Sequence, residues 1–201
     1  MKRWIVIAAA GVLAASHAAA GELEEAVVAE MNLARTQPQK YARFLRTLRG
    51  EYRGKERLQG NVRIRTSEGV RAVDEAIGFL SRQKPLPPLT AEAGLAAAAA
   101  ELAAEQAASG GTGHRGMSGG LPERVAKHGA WQGSIGENIS YGMDEGREVV
   151  MALIVDDGVP GRGHRRNIFS PAFRKAGAAC APHPGFRTVC VIDFAGAFEG
   201  K

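Results

Sequence analysis

Gly136-Glu137-Asn138-Ile139, followed by Asp156-Asp157-Gly158-Val159-Pro160-Gly161-Arg162-Gly163-His164-Arg165-Arg166-Asn167-Ile168, is the stretch that decides how this chain folds. Glycine beside a polar group lets the backbone turn sharply and lets other groups approach closely. Glu137, Asp156 and His164 therefore read as placed side chains and not as scattered surface polarity. Upstream, Gly113-His114-Arg115-Gly116 repeats the pattern. His114, Glu137, Asp156 and His164 each bind a proton or a metal, and together they predict one convergent polar site.

The order and content of these motifs resemble the CAP superfamily, also called SCP-like, which joins cysteine-rich secretory proteins, antigen 5 and pathogenesis-related 1 proteins. The likeness is greatest to its bacterial secreted branch. It extends to Glu30-Met31-Asn32-Leu33-Ala34-Arg35 and to the alanine-rich stretch before His114, and so covers most of residues 22–199. Residues 36–85 match less well and read as a branch-specific insertion in a single domain, 21–201. The resemblance implies an α/β fold, a three-layer α-β-α sandwich around a mainly antiparallel sheet. It also implies a histidine, glutamate, acidic residue, histidine tetrad lining a central cleft, which holds a divalent metal in some members. His114, Glu137 and His164 fall on the matching motifs. At the third position the family often carries glutamate. Here Asp156 and Asp157 are adjacent, the preceding helix sets the register at Asp156, and an aspartate, one methylene shorter, retracts its carboxylate from a shared metal. The several disulfides and C-terminal motifs of eukaryotic members are not found, so functions tied to them do not transfer.

Met1 to Ala20 has the layout of a secretory signal peptide: Lys2 and Arg3, an apolar run from Trp4 to Ala15, then small residues to Ala18-Ala19-Ala20. The run is shorter than the roughly 20 apolar residues of a membrane span, so cleavage after Ala20 is expected, with a retained anchor as the alternative. A secreted, periplasmic or otherwise extracytoplasmic protein with no integral membrane segment follows. Without Lys2 and Arg3 the 26 basic residues become 24 against 21 acidic, a mild excess with histidine neutral. A solvated helix face explains Arg43, Arg46, Arg49, Arg53, Lys55 and Arg57 more cheaply than nucleic-acid binding, which is not expected. Cys180 and Cys190 flank a turn, Ala181-Pro182-His183-Pro184-Gly185-Phe186, and in an oxidising compartment they are expected to staple a hairpin, worth roughly 2 to 3 kcal/mol. A redox pair or metal thiolates would want closer spacing.

Leu23, Val27, Met31 and Ala34 recur at helical spacing before Pro38. Tyr41, Phe44, Leu45 and Leu48 form a second stripe, and Val70, Val73, Ile77 and Leu80 a third, with Thr66 or Ser67 as its cap. The charged, weakly patterned residues 51–65 read as an exposed loop, and the prolines of 84–88 interrupt any helix. Thr90 is expected to cap a helix over 91–108, stopped by Gly110-Gly111, which leaves His114 in a loop. Helices are expected over 122–128 and 147–156. Strands buried on both faces are expected over 175–181 and 187–195.

Two imidazoles and one or two carboxylates suit a zinc shell of three protein ligands with one position left to water. His114 and His164 are the candidate metal ligands, and His114, Glu137 and His164 the candidate catalytic groups. No His-Glu-x-x-His helix is present, so convergence rests on the fold. Without metal the set can act as general acid and base, a carboxylate raising the imidazole pKa by proximity. Plainer readings stand beside this: Glu137 and Asn138 fixing their loop, His164 on a basic surface, His128 and His183 structural, Arg162, Arg165 and Arg166 solvated or paired with carboxylates such as Asp157, and Tyr141 packing or lining the cleft. Gly116-Met117-Ser118-Gly119-Gly120 matches a nucleophile elbow in letters, but a glycine-rich loop leads into it where a strand is needed, so Ser118 is not expected to attack. The function classes rank as a binding module for a divalent metal or small ligand with an envelope or extracellular partner, then a hydrolase, then a lipid or sterol carrier. The last needs an exposed apolar groove, for which the amphipathic insertion from Tyr41 to Leu80 is the candidate.

Overall fold

A computed structural model describes the backbone of residues 11–201 and the side chains of residues 21–201. The expected signal peptide, 1–20, lies outside the residues described with side chains, and its first ten residues lie outside the description altogether. Helix α1 (Gly11–Thr36) is followed after one residue by α2 (Pro38–Arg49). Proline has no N–H to lose in a first helical turn, so Pro38 opens a helix as well as closing one.

The stretch expected as a loop is a small antiparallel sheet, β1 (Tyr52–Arg53), β2 (Glu56–Gln59) and β3 (Val62–Arg65). Its strands are too charged to show a hydrophobic alternation. They are anchored through Arg57, which is buried and paired with Glu51 and Glu148 at 2.8 and 3.1 Å. Helix α3 (Val70–Arg82) starts after Gly69, and neither Thr66 nor Ser67 caps it with a side chain. Thr90 also caps no helix: it lies in β4 (Thr90–Ala91), whose pairing with a later strand takes precedence, and α4 (Ala93–Ser109) starts beyond Glu92. There follow α5 (Leu121–His128), β5 (Gly129–Tyr141), α6 (Gly146–Val155), a 3-10 turn (Pro160–Arg162), α7 (Gly163–Ile168), β6 (Lys175–His183) and β7 (Arg187–Gly200).

The main sheet has the order β4-β6-β7-β5, with the β6–β7 and β7–β5 pairs antiparallel and the short β4 parallel to β6. Alternation along β7 feeds two layers. Cys190, Ile192 and Phe194 join a core with Val27, Met31, Leu45, Val73, Leu80 and Ile154 of α1, α2, α3 and α6. Val189, Val191 and Ala195 face α4 and α5, against Leu102, Leu95 and Val125. This is the expected α-β-α sandwich with a mainly antiparallel sheet. The alanine-rich α4 lies close on the sheet, and a Cβ at Gly177 would stand 2.0 Å from the Ala96 nitrogen, so only glycine permits the approach.

Arg35, fully buried, ties the layers through main-chain acceptors. It donates to the carbonyls of Pro87, Ile168, Ser170 and Phe173. Burial, then the neighbouring Arg174 charge, lowers its pKa to about 10, which leaves it charged at neutral pH.

Cys180 and Cys190 are bonded across β6 and β7 as directly opposed residues, 4.1 Å apart at Cα. Replacing both cysteines by alanine is expected to lower the unfolding free energy by roughly 2 to 3 kcal/mol. Urea denaturation of the two proteins measures this, and equal midpoints would show that the staple constrains nothing.

Candidate functional site

Two adjacent aspartates make the corner at the end of α6. Asp156 ends the helix in the left-handed region, φ 57° and ψ 44°, which aspartate tolerates better than most side chains. The turn sends the two carboxylates apart. Asp156, buried, accepts the His164 N–H at 2.9 Å and lies 2.6 Å from His164 Nδ1. Asp157 instead accepts the N–H groups of Ser67, Glu68 and Gly69, at 2.6, 2.7 and 3.0 Å, and so holds the turn leading into α3. Asp156 is thus the residue that joins His164, and Asp157 is structural. Arg162 pairs with Glu68 and Glu75, not with Asp157. Arg165, buried, donates to the carbonyls of Ile154 and Val155 and to Glu75, while Arg166 is exposed.

Strand β5 positions the other half. Neighbouring strand residues point to opposite faces, so Glu137 faces α5 and Asn138 faces α7. Asn138 Nδ2 donates to the His164 carbonyl at 3.1 Å, and Asn138 Oδ1 accepts from Asn167 at 2.9 Å. A Cβ at Gly136 would stand 2.7 Å from the Phe173 ring, so glycine lets this junction close.

Glu137 is buried with Oε1 2.8 Å from His114 Nδ1 and Oε2 accepting from the fully buried Arg124. Its partner across the ladder is Asp193, also fully buried, whose two oxygens meet no donor among the described residues. Burial, and then the Glu137 charge, push the Asp193 carboxyl well above the usual carboxylate range. The bond to Glu137 raises the His114 pKa above its ordinary value, against partial burial. The His114 loop is pinned from below: Gly113 N–H donates to Tyr141 Oη at 2.9 Å, Tyr141 donates to Gln106 at 3.0 Å, and Gln106 donates to the Gly113 carbonyl at 2.7 Å.

The four expected residues therefore form two dyads, His114 with Glu137 and His164 with Asp156, approached from opposite faces of one strand. Among the described residues no three His, Cys, Asp or Glu side chains are grouped to hold a metal ion. Each imidazole turns Nδ1 to a carboxylate, and among the described residues nothing bonds its Nε2, the orientation of histidines in many metal centres. Both carboxylates are already committed, however, which leaves two nitrogen donors on separate dyads. That donor set does not fit a three-ligand zinc shell. His128 bonds Glu101 at 2.7 Å, and His183 sits between the Gly111 carbonyl and the Gly185 N–H, both away from the dyads. Ser118 lies in the Gly116–Gly119 turn, held by Glu105, with no imidazole bonded to it.

Arg124, Asp193 and Asn167 belong to the site and were not anticipated. A lone acid inside the apolar run Val189–Phe194 was a readable signal of a special site; Arg124 on a polar helix carried none.

A pocket of about 300 Å³ opens between β5, α6 and the small sheet β1–β3, walled by Leu48, Tyr52, Ile64, Met151 and Val155, with His164 among its lining. A second, of about 550 Å³, lies between α1, α4 and β6, lined by Val28, Ala29, Ala93, Ala96 and Ala178. The stretch from Tyr41 to Leu80 is not the exposed groove expected for a lipid carrier, because Tyr41, Leu45, Leu48, Val73 and Leu80 turn inward and are buried in the core beside α1 and α6.

The α-β-α sandwich gives the class of protein, and a family model matches the chain over most of its length. The model of the cysteine-rich secretory protein family, CAP, matches residues 30–194, and the chain belongs to that family. Among solved structures it is similar to an extracellular protein containing an SCP domain from Bacillus anthracis str. Ames, at 17% identity over 63% of this chain and 37% of that one, TM-score 0.45. It is also similar to an outer surface protein of Borrelia burgdorferi, at 19% identity over 58% and 80% of the two chains, TM-score 0.47. A cysteine-rich secretory protein from Staphylococcus aureus matches at 14% identity over 55% and 32%, TM-score 0.40. The chain thus covers 37% of the length of the Bacillus protein. No curated protein matches it significantly.

In an NMR titration His114 is expected to titrate above about 6.5, and Glu137→Gln to bring it down. Its folded pKa is raised, so its share of stability is present below about pH 6.5 and lost as pH rises through the folded value. Asp193→Asn, at a carboxyl pushed up by burial, is expected to leave the His114 titration in place; a fall would mean that Asp193 is ionised. Asp157→Ala is expected to cost about 1 to 2 kcal/mol in urea unfolding, with the three N–H groups left to water.

Proposed function

We propose that this domain is an extracytoplasmic binding module whose pocket beside His164 takes an uncharged ligand that fills it with an apolar group and brings a hydrogen-bonding group to the imidazole. The observation that supports this best is the conjunction of apolar walls with an oriented imidazole. Asp156 holds Nδ1, so the ring is fixed and Nε2 is left for a ligand. The insertion fits the reading, since Tyr52 and Ile64 of its small sheet build the outer wall. Export is supported by the signal-peptide layout and by relatives described as extracellular or as outer surface proteins. Among the described residues no helix is long and apolar enough to cross a membrane. The output of binding would then be contact with an envelope or extracellular partner.

A second reading, hydrolysis, is favoured by the Asp156–His164 dyad, an oriented base that can activate water. It requires peptide cleavage that disappears in His164→Ala. Lipid carriage would use the slot between α1 and α4.

Ala152, half-buried on α6, lines the pocket and can be enlarged to fill it. In an NMR screen of apolar fragments carrying an amide or hydroxyl, hits are expected to vanish with Ala152→Phe. They should weaken roughly three- to tenfold with His164→Ala, the effect of one hydrogen bond. Fragments that bind both variants unchanged would place the ligand elsewhere and overturn the reading.

A further inference from the structure

Strand β5 ends the sheet, and one of its edges has no strand beside it. In an antiparallel pair alternate residues exchange both bonds with their partner, and those between them turn N–H and C=O outward. Gly142 N–H donates to the Thr188 carbonyl at 2.8 Å, one step beyond the pairing of Tyr141 with Val189. Asn138 and Ser140 therefore bond β7, while Glu137, Ile139 and Tyr141 face outward. Two contacts agree with this parity. Asn167 Nδ2 reaches the Glu137 carbonyl from outside at 3.2 Å, and Cys180, opposite Cys190 in β7, turns its N–H outward to Glu24 at 2.8 Å.

Past Glu137 the outer edge of β5 is left without a hydrogen-bonding partner among the described residues, although Ile139 as a whole is only 6% exposed. Among the described residues, no hydrogen bond is made by the outward N–H and C=O groups of Ile139 and Tyr141. Both residues line the pocket of about 300 Å³, yet their side chains pack in the α4 layer with Leu102, Val189 and Val191. What they present to the pocket is main chain. An apolar small molecule or acyl chain lying there would bury these groups unpaired, at a cost of roughly 1 to 3 kcal/mol each. An extended peptide pairs all of them. The charges around the pocket are already spent: Arg57 on Glu51 and Glu148, Asp156 on His164, and Asp157 on three N–H groups. A neutral stretch of chain fits this better than a charged terminus.

We infer that the occupant is an extended, uncharged peptide segment that adds as a strand to β5 at Ile139 and Tyr141, seats an apolar side chain in the pocket and brings its next polar group to His164. This rests on the reading of the pocket as the ligand site and names the ligand's class. Main-chain bonds supply affinity in such strand addition, and the pocket supplies side-chain selectivity.

Hydrogen exchange by NMR tests it on the protein with two acetylated, amidated hexapeptides of alternating valine and threonine, one carrying N-methyl groups on alternate residues. The unmethylated peptide is expected to slow exchange of the Ile139 and Tyr141 amides by about tenfold or more, and the methylated one to leave them unchanged. Ile139→Pro removes an N–H that serves no ladder bond and is expected to weaken the peptide about tenfold. The methylated peptide supplies the same control on the unaltered protein should that variant not fold. Equal binding of both peptides, or no protection at the two edge amides, overturns the inference. If fragments still bind in an Ala152-dependent way, the pocket reading survives that failure; if neither binds, both fall.

Discussion

The corner at Asp156-Asp157 is the constraint from which the site follows. Helix α6 has to end there with its last carbonyls satisfied, and Arg165 does this from inside by donating to the carbonyls of Ile154 and Val155. The left-handed turn at Asp156 then separates two neighbouring carboxylates that would otherwise repel. One orients His164 and the start of α7. The other grips the turn before α3 and, through it, docks the insertion. Arg162 braces the same junction against Glu68 and Glu75 and draws the Glu68 carboxyl down to about 2. The pocket exists because one corner fixes both its imidazole and its outer wall.

On the opposite face of β5 the physics differs. Glu137, Arg124 and Asp193 are buried together, and two carboxylates cannot both stay ionised beside one guanidinium without a large desolvation cost. The Asp193 carboxyl is pushed up, Glu137 pairs with Arg124, and His114 is bonded to the outer end of that pair. Glu137 is thereby spent on Arg124 and His114, as Asp156 is spent on His164. Convergence of four ionisable residues on one metal would need carboxylates with free lone pairs aimed at a common point. This chain uses them to orient imidazoles and close the core.

The parts of this architecture that were legible in the sequence are those with local causes. The stripes through Val27, Leu45, Val73 and Ile154, the apolar run of β7 and the cysteine pair follow from periodicity and spacing, and each sits where that predicts. Strand β5 hid because its glycines and polar residues mask alternation; its strand character comes from pairing with β7, a long-range fact. The small sheet of the insertion hid for the same reason, its arginines being neutralised by residues distant in sequence. Thr66, Ser67 and Thr90 illustrate the limit of capping rules. Each is a good cap by type, yet Asp157 and the β4–β6 pairing reach those backbones first. The dyads lay between these extremes: their members were visible as motifs, while the partition into two pairs depends on which face of β5 each side chain leaves from.

Sheet edges explain why the remaining exposure matters. An open edge invites pairing with other chains, and proteins usually cover it. Here β4 and Glu24 cover the β6 side, and Asn167 covers β5 at Glu137. Past Glu137 the main chain at Ile139 and Tyr141 has no hydrogen bond among the described residues, and both residues line the pocket beside the small sheet β1–β3. An occupant that pairs those groups would cover the edge as a neighbouring strand does.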